Sequence, residues 1–209
     1  VIPMLPHALS NGICSLNEAQ NRLTLSCIMT INSKGEVIDH KIAETVIKTN
    51  RRMTYTNVKK ILEDKDPEVM EEYKELVPKI EKMAELASIL RKRRMKRGSI
   101  DFDFPETKVI LNDKGEPIDI KPYDRNVATK LIEDFMLIAN ETVASHFFWQ
   151  EIPFVYRTHE NPDTEKIHKL STFINNFGYS LHIGADEVHP KELQKLLEKI
   201  EGTDEEALI

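Results

Sequence analysis

From Asp124 to about Trp149 the chain places apolar residues on nearly every side of a helical projection: Val127, Leu131, Ile132, Phe135, Met136, Ile138, Ala139, Val143 and Phe147. A helix that is apolar all round loses free energy wherever water touches it, so this segment is expected to be a central, buried element with other elements laid against it. Polar groups on such a helix need reasons. Glu133 and Asn140 lie two turns apart and share a face with Leu137 between them, while Asp134 and Glu141 sit beside that line. A buried carboxylate is costly unless a cation, a metal or several donors meet it, so the line is a binding site, a structural ion pair or a capped strand end.

The cover for that helix has to come from the rest of the 209 residues, and the pattern offers both strands and helices. Arg22 to Ile31 alternates through Leu23, Leu25, Cys27, Met29 and Ile31, Ser33-Lys-Gly-Glu36 turns, and Val37 to Ile47 returns, which makes a hairpin. Lys108 to Leu111, the turn Asn112-Asp-Lys-Gly115 and Pro117 to Ile120 make a second. Residues 1–20, with their prolines and Asn11-Gly12, read as an ordered loop, and Thr56 is the expected cap of a short helix through Leu62. Between Pro67 and Arg97 apolar residues fall at Val69, Tyr73, Leu76, Ile80, Met83, Ala87 and Leu90, a stripe that packs inside the molecule or binds a partner, with Pro78 kinking or splitting the helix. Ile152 to Arg157 reads as a strand, and Pro162 to Phe177 and Pro190 to Ile200 as amphipathic helices. The expected fold class is therefore α/β of an α+β-like kind, β-hairpins packed with long helices.

Two stretches carry chemistry. The tail Arg91-Lys-Arg-Arg-Met-Lys-Arg97 holds six positive charges in seven residues before Gly98, a plausible left-handed stop. Cations there complement the helix macrodipole, and their density also suits phosphate contact. In Ser99-Ile-Asp-Phe-Asp-Phe-Pro-Glu106, alternation puts Ile100, Phe102 and Phe104 on one side and Asp101 and Asp103 on the other. The three apolar residues read as a core stripe on periodicity alone. Asp101, Asp103 and Glu106 form a metal site only if they converge. Arg157 and His159, two apart, can point the same way, toward a phosphate or Glu133 for the one and a backbone carbonyl for the other.

Composition removes several classes. No apolar run approaches the roughly 20 residues of a membrane helix, and Val1-Ile-Pro-Met lacks a secretory layout, so a cytoplasmic location without membrane contact is expected. With 29 Lys+Arg against 35 Asp+Glu, a freely exposed, dedicated nucleic-acid-binding domain is disfavoured and any polyanion site must be local. Cys14 and Cys27 read as ordinary buried thiols. The opening Val1-Ile-Pro-Met-Leu-Pro reads as the middle of a longer chain.

Five ordered blocks resemble the catalytic domain of the ribonuclease II and ribonuclease R family: Leu5-Pro-His-Ala-Leu-Ser-Asn-Gly-Ile-Cys-Ser-Leu-Asn17, Arg52-Met-Thr-Tyr-Thr56, Arg97-Gly-Ser-Ile-Asp-Phe102, Leu131-Ile-Glu-Asp-Phe-Met-Leu-Ile-Ala-Asn140 and Tyr156-Arg-Thr-His159. The resemblance runs through nearly the whole chain. It implies a processive 3′-to-5′ exoribonuclease that hydrolyses single-stranded RNA with Mg2+, using an aspartate cluster that the family carries upstream of the segment beginning at Val1. Residues 1–209 then form a central part of that catalytic domain, partnered by single-stranded RNA and by other domains of the parent chain, and inactive alone. The resemblance makes Phe102 the aromatic that stacks on the 3′-terminal base, and Glu133 a carboxylate of the RNA channel, with Asp134 as the alternative. Asn140, Arg157 and His159 complete the expected RNA-binding set. A non-catalytic helical scaffold binding protein through the 69-to-90 stripe is the competing expectation.

Overall fold

In a computed structural model the described residues are 4–100, 107–122, 125–184, 188–206 and 208. They contain two antiparallel two-stranded sheets and six α-helices, a mixed α and β fold, and divide into two compact units. The first is Val1–Leu90 with Arg125–Phe154, the second Arg91–Asp124 with Val155–Ile209.

The first unit opens with a π-helical turn, Ala8–Ile13, where the proline-rich composition suggested only a loop. Arg22 holds it from the next strand, donating from Nε to the Ser15 carbonyl at 2.9 Å and from Nη2 to that of Gly12 at 3.3 Å. Strands β1 (Asn21–Ile31) and β2 (Val37–Lys48) then pair as the alternation predicts. The inward face is only half as expected. Cys27, Met29 and Ile31 are partly covered, but Leu23 is 88% exposed and Leu25 79%, because the long helix Val127–Trp149 reaches only the half of the hairpin nearer its turn. There the Thr142 hydroxyl meets Met29 Sδ at 3.3 Å and His40 Nε2 meets His146 Nδ1 at 2.9 Å. Farther along, the side chains that gain contact are hydroxyls: Thr45 Oγ1 lies 2.8 Å from Thr24 Oγ1 and 2.6 Å from Ser26 Oγ. Of the two cysteines, Cys14 is exposed and Cys27 half-buried, so only Cys27 approaches the expected buried thiol, and burial pushes it above its ordinary pKa.

Helix α1 (Tyr55–Lys59) is capped by Thr54 rather than Thr56, through a 3.1 Å bond from the Asn57 amide, and runs on as π-helical turns over Lys60–Asp64. A capping oxygen serves the amide two or three residues on, and Thr54 stands three before Asn57, within the first turn of the helix. Asp66 caps α2 (Pro67–Glu72), and after a turn α3 (Val77–Lys96) begins with Pro78 in its first turn, where a missing N–H costs nothing. The stripe turns inward: Val69, Tyr73 and Leu76 pack on the buried cluster of Ile61, Val77 and Ile80, and Ala87 and Leu90 are buried as well. Most of the surface that a protein-binding scaffold would need is thus occupied internally, with Met83 left 37% exposed.

Helix α4 (Val127–Trp149) departs most from expectation. Its buried positions are Ala128, Leu131, Asp134, Ile138 and Thr142, a single stripe, while Met136 and Phe148 are each 59% exposed and Trp149 78%. The rest of the unit meets one face of this helix. The two polar residues of the stripe lie in the interior, and Thr142 satisfies its hydroxyl on the Ile138 carbonyl at 2.7 Å. At the far end Glu151 takes a left-handed φ of 56° and the Ile152 amide returns to the Phe147 carbonyl at 3.3 Å. The predicted strand from Ile152 to Arg157 is consequently absent. Pro153 lacks a donor for a ladder, and Phe154 stacks on Phe147 with ring centroids 4.6 Å apart instead of pairing with a strand.

The second unit contains β3 (Thr107–Leu111), β4 (Pro117–Pro122), α5 (Thr164–Asn175) and α6 (Pro190–Ile200). The two hairpins share one turn chemistry. In Asn32-Ser-Lys-Gly-Glu36 and Asn112-Asp-Lys-Gly-Glu116 alike, the Asn Oδ1 accepts from the Lys and Glu amides and the Asn amide group donates to the Glu carboxylate. Helices α5 and α6 enclose a core of Ile167, Ile174, Leu181, Val188, Leu196 and Ile200. The last turns of α3 also belong here and end in a Schellman motif, the Gly98 amide on the Met95 carbonyl at 2.9 Å and the Ser99 amide on that of Arg94 at 3.3 Å. Gly98 has φ of 96°, and a Cβ on it would stand 3.0 Å from the backbone nitrogen and Cγ of Lys191. Gly98→Ala is expected to destabilise the chain by about 1–3 kcal/mol through strain and clash together, measured by chemical denaturation; a loss of less than about half that would show the position to be relaxed.

Candidate functional site

Three of the five motif blocks come together in the first unit. Glu18, which follows the block ending at Asn17, accepts the Arg52 backbone N–H at 3.0 Å and meets the Arg51 guanidinium at 3.1 Å, and the Ala19 amide donates to the Thr49 carbonyl at 2.8 Å. The Arg52 amide beside Glu18, with Arg51, holds its carboxyl below the ordinary value of 4.5 against the opposing effect of desolvation. This anchors the start of the Arg52-Met-Thr-Tyr55 segment before α1 begins. Across from it, α4 starts at an Asn126 cap whose Oδ1 accepts from the Ala128 and Thr129 amides. Glu63 adds a carboxylate oxygen to the Val127 amide at 3.0 Å, a negative charge at the positive end of the helix.

Between these segments lies a groove of about 610 Å³. Arg52, Met53, Thr54 and Tyr55 line one side, Leu131 and Ile132 with Ala128 the other, and Val58, Ile80 and Met83 complete it. The walls are chiefly apolar, while Arg52 is exposed and Tyr55 47% exposed. An apolar slot edged by a guanidinium and an aromatic ring suits a flat, anionic ligand, whose ring system packs on carbon while Arg52 forks onto the anion. The Arg52–Thr56 block carries no role legible from residue spacing alone. Arg52 and Tyr55 stand on either side of the Thr54 cap, and both line the groove.

The expected site residues fall unevenly around this groove. Glu133 follows the wall residue Ile132 and is half-buried, with Oε2 3.1 Å from Arg125 Nη2. Both partners keep contact with water, so the pair is worth no more than about 1 kcal/mol and serves chiefly to aim the carboxylate. Asp134 is 4% exposed and belongs to the buried stripe. The face line reasoned from spacing is thus corrected: the fully buried carboxylate is Asp134, whereas Glu133 reaches the surface and Asn140 is exposed. Arg157 and His159 lie in the second unit, both exposed, on a stretch without regular structure. Phe102, Asp101, Asp103 and Glu106 lie outside the described residues. Among the described residues no three His, Cys, Asp or Glu side chains converge as a metal ion requires, so those residues do not fit a divalent-ion centre. No helix among the described residues is long and apolar enough to cross a membrane.

Known proteins resemble this chain throughout. Residues 1–209 match the RNB domain family. The chain is 47% identical over 201 residues to ribonuclease R of Thermotoga maritima and 44% identical over 202 residues to ribonuclease R 1 of Lactococcus lactis, covering 96% and 97% of this chain. It spans only 28% and 25% of those relatives' own lengths. Among solved structures, Mycoplasma genitalium RNase R in complex with ribose methylated single-stranded RNA superposes with a TM-score of 0.85 at 28% identity, over 98% of this chain and 32% of that one.

A depressed Glu18 pKa means that its contact stabilises the Arg52 segment above pH 4.5 and that this contribution disappears as pH falls through the folded-state value. The Arg52 amide resonance is therefore expected to titrate with a midpoint below 4.5 and to lose that titration in Glu18→Gln, followed by nitrogen-edited NMR. A midpoint at or above the ordinary carboxylate value would show the anchor to be unmade.

Proposed function

The chain belongs to the RNB-domain family, and from that premise we propose that it forms a central part of the catalytic body of a 3′-to-5′ exoribonuclease, where it supplies the wall of an RNA channel. The observation that supports the reading most directly is the groove in which the Arg52–Thr56 and Leu131–Asn140 blocks meet. A nuclease that accepts any sequence must hold RNA by features common to all nucleotides. An aromatic face serves every base, a guanidinium every phosphate, and an apolar floor excludes water around both.

In this reading Tyr55 stacks on a base and Arg52 holds an adjoining phosphate. Glu133, aimed by Arg125 and open to the surface, is the channel carboxylate in preference to the interior Asp134. Phe102 stacks on the 3′-terminal base, and Asn140, Arg157 and His159 add exposed polar contacts to the strand. Mg2+, where the complete enzyme holds it, would supply activation of the attacking water, and the described residues of this chain would contribute RNA contacts rather than its ligands. The partners are single-stranded RNA and the other domains of the parent protein, in the cytoplasm.

Two outcomes test the proposal. Incubated with Mg2+ and end-labelled single-stranded RNA, the purified chain is expected to bind but to release no mononucleotides; release at a rate that follows the protein through purification would refute the division of labour. Replacing Tyr55 by Ala is expected to weaken RNA binding by about 1–3 kcal/mol, or roughly 5- to 150-fold, while Tyr55→Phe retains it. Equal affinity of the Ala variant in fluorescence anisotropy would remove the groove from RNA binding.

A further inference from the structure

The basic end of α3 is not explained by the helix it terminates. A helix C-terminus favours cations because its last carbonyls lack donors, an effect confined to the final turn. Two of those carbonyls are already supplied: Met95 accepts from the Gly98 amide and, at 3.1 Å, from Gln194 Nε2, and Arg94 accepts from the Ser99 amide. Arg94 turns its own guanidinium to the Ser99 hydroxyl at 3.1 Å, a local structural contact. Lys92 lies above the final turn altogether. It and Lys96 are exposed and stand four residues apart, about 6 Å along the axis, so two like charges face the same water and repel. Arg97 is exposed beside them. In a chain whose net charge is −6, this is a local concentration of the opposite sign with a spacing comparable to that of successive phosphates in a stretched strand.

We propose that Lys92, Lys96 and Arg97 form a contact strip for the backbone phosphates of single-stranded RNA, separate from the groove at Arg52 and Tyr55. The strip rests on the RNA-binding reading of the chain and adds its position on the strand. Arg97 precedes Phe102 by five residues, which span at most about 17 Å when fully extended. Phosphates on the strip therefore belong to nucleotides only a few steps upstream of the base that Phe102 receives. The contact is with charge alone, so it holds every sequence equally and lets the strand advance.

The test is binding of a labelled oligouridine to the 209-residue chain across a potassium chloride series, with Lys92→Gln/Lys96→Gln and Lys92→Arg/Lys96→Arg compared with wild type. Each phosphate contact to a single strand contributes about 0.7 to the slope of log affinity against log salt. The Gln pair is expected to lower that slope by about 1.4 and affinity by about 25-fold near 0.1 M salt, and the Arg pair to keep both. Unchanged affinity and slope in the Gln pair, with the Tyr55 dependence intact, would overturn the strip and leave the RNA-binding reading standing. Lost affinity at unchanged slope would also overturn it, as a folding effect. Weakened binding of polyglutamate with RNA affinity untouched would assign the strip to an acidic protein partner. A wild-type chain that binds no RNA at low salt would refute the RNA-binding reading itself, and the strip with it.

Discussion

The first unit is organised by the single face of α4 that it buries. Ala128, Leu131, Asp134, Ile138 and Thr142 recur at intervals of three and four, so they form one line along the helix and everything that packs on it must approach from that side. The hairpin reaches the line at Thr142 and His146, through Met29 and His40. Helix α1 and the turns after it meet α4 near its start, where Glu63 takes up the Val127 amide. The groove lies beside the second of these approaches, between the Arg52–Tyr55 segment and α4 at the level of Ala128, Leu131 and Ile132. Removing the buried stripe would leave neither wall in place.

Polar groups do the positioning throughout, and they do it at chain ends. Thr54, Asp66, Asn126, Asp163 and His189 each accept from an amide in the first turn of a helix, and each of those helices starts where its cap stands. Glu18 performs the same service outside any helix, taking the Arg52 amide and so delivering the Arg52–Tyr55 segment to the groove. Orphan backbone donors are costly to leave unmet, which makes a well-placed carboxylate or hydroxyl a stronger determinant of local geometry than the propensity of the residues around it. The same economy ends α3 at Gly98, where backbone amides and Gln194 supply the Arg94 and Met95 carbonyls.

Much of this was legible from the sequence. Both hairpins, with the Asn-to-Gly turns that close them, were readable because period-two alternation and turn chemistry act over neighbouring residues. The break before Pro78 and the stop at Gly98 were readable for the same reason, a missing donor and a left-handed φ being properties of single residues. The family resemblance named the blocks that matter, and Arg52 and Tyr55 sit inside one of them. The expected burial of α4 on all sides, the inward face at Leu23 and Leu25, and the strand from Ile152 to Arg157 did not hold. Each required knowing what lies across from the residue, and apolarity says only that contact with water is unfavourable, without naming the neighbour that prevents it.

By itself the sequence determined where the two hairpins turn and α3 stops, that α-helices and β-hairpins share the chain, and to which family it belongs. These follow from capping, backbone φ and side-chain period, all of which act within a few residues. The tertiary structure alone decided that Asp134 rather than Glu133 is interior, that Glu63 and Glu18 serve amides far along the chain, and that two distant blocks face each other across one groove. Those outcomes depend on which face of each element is covered, and that is settled only when the elements compete for the same buried surface.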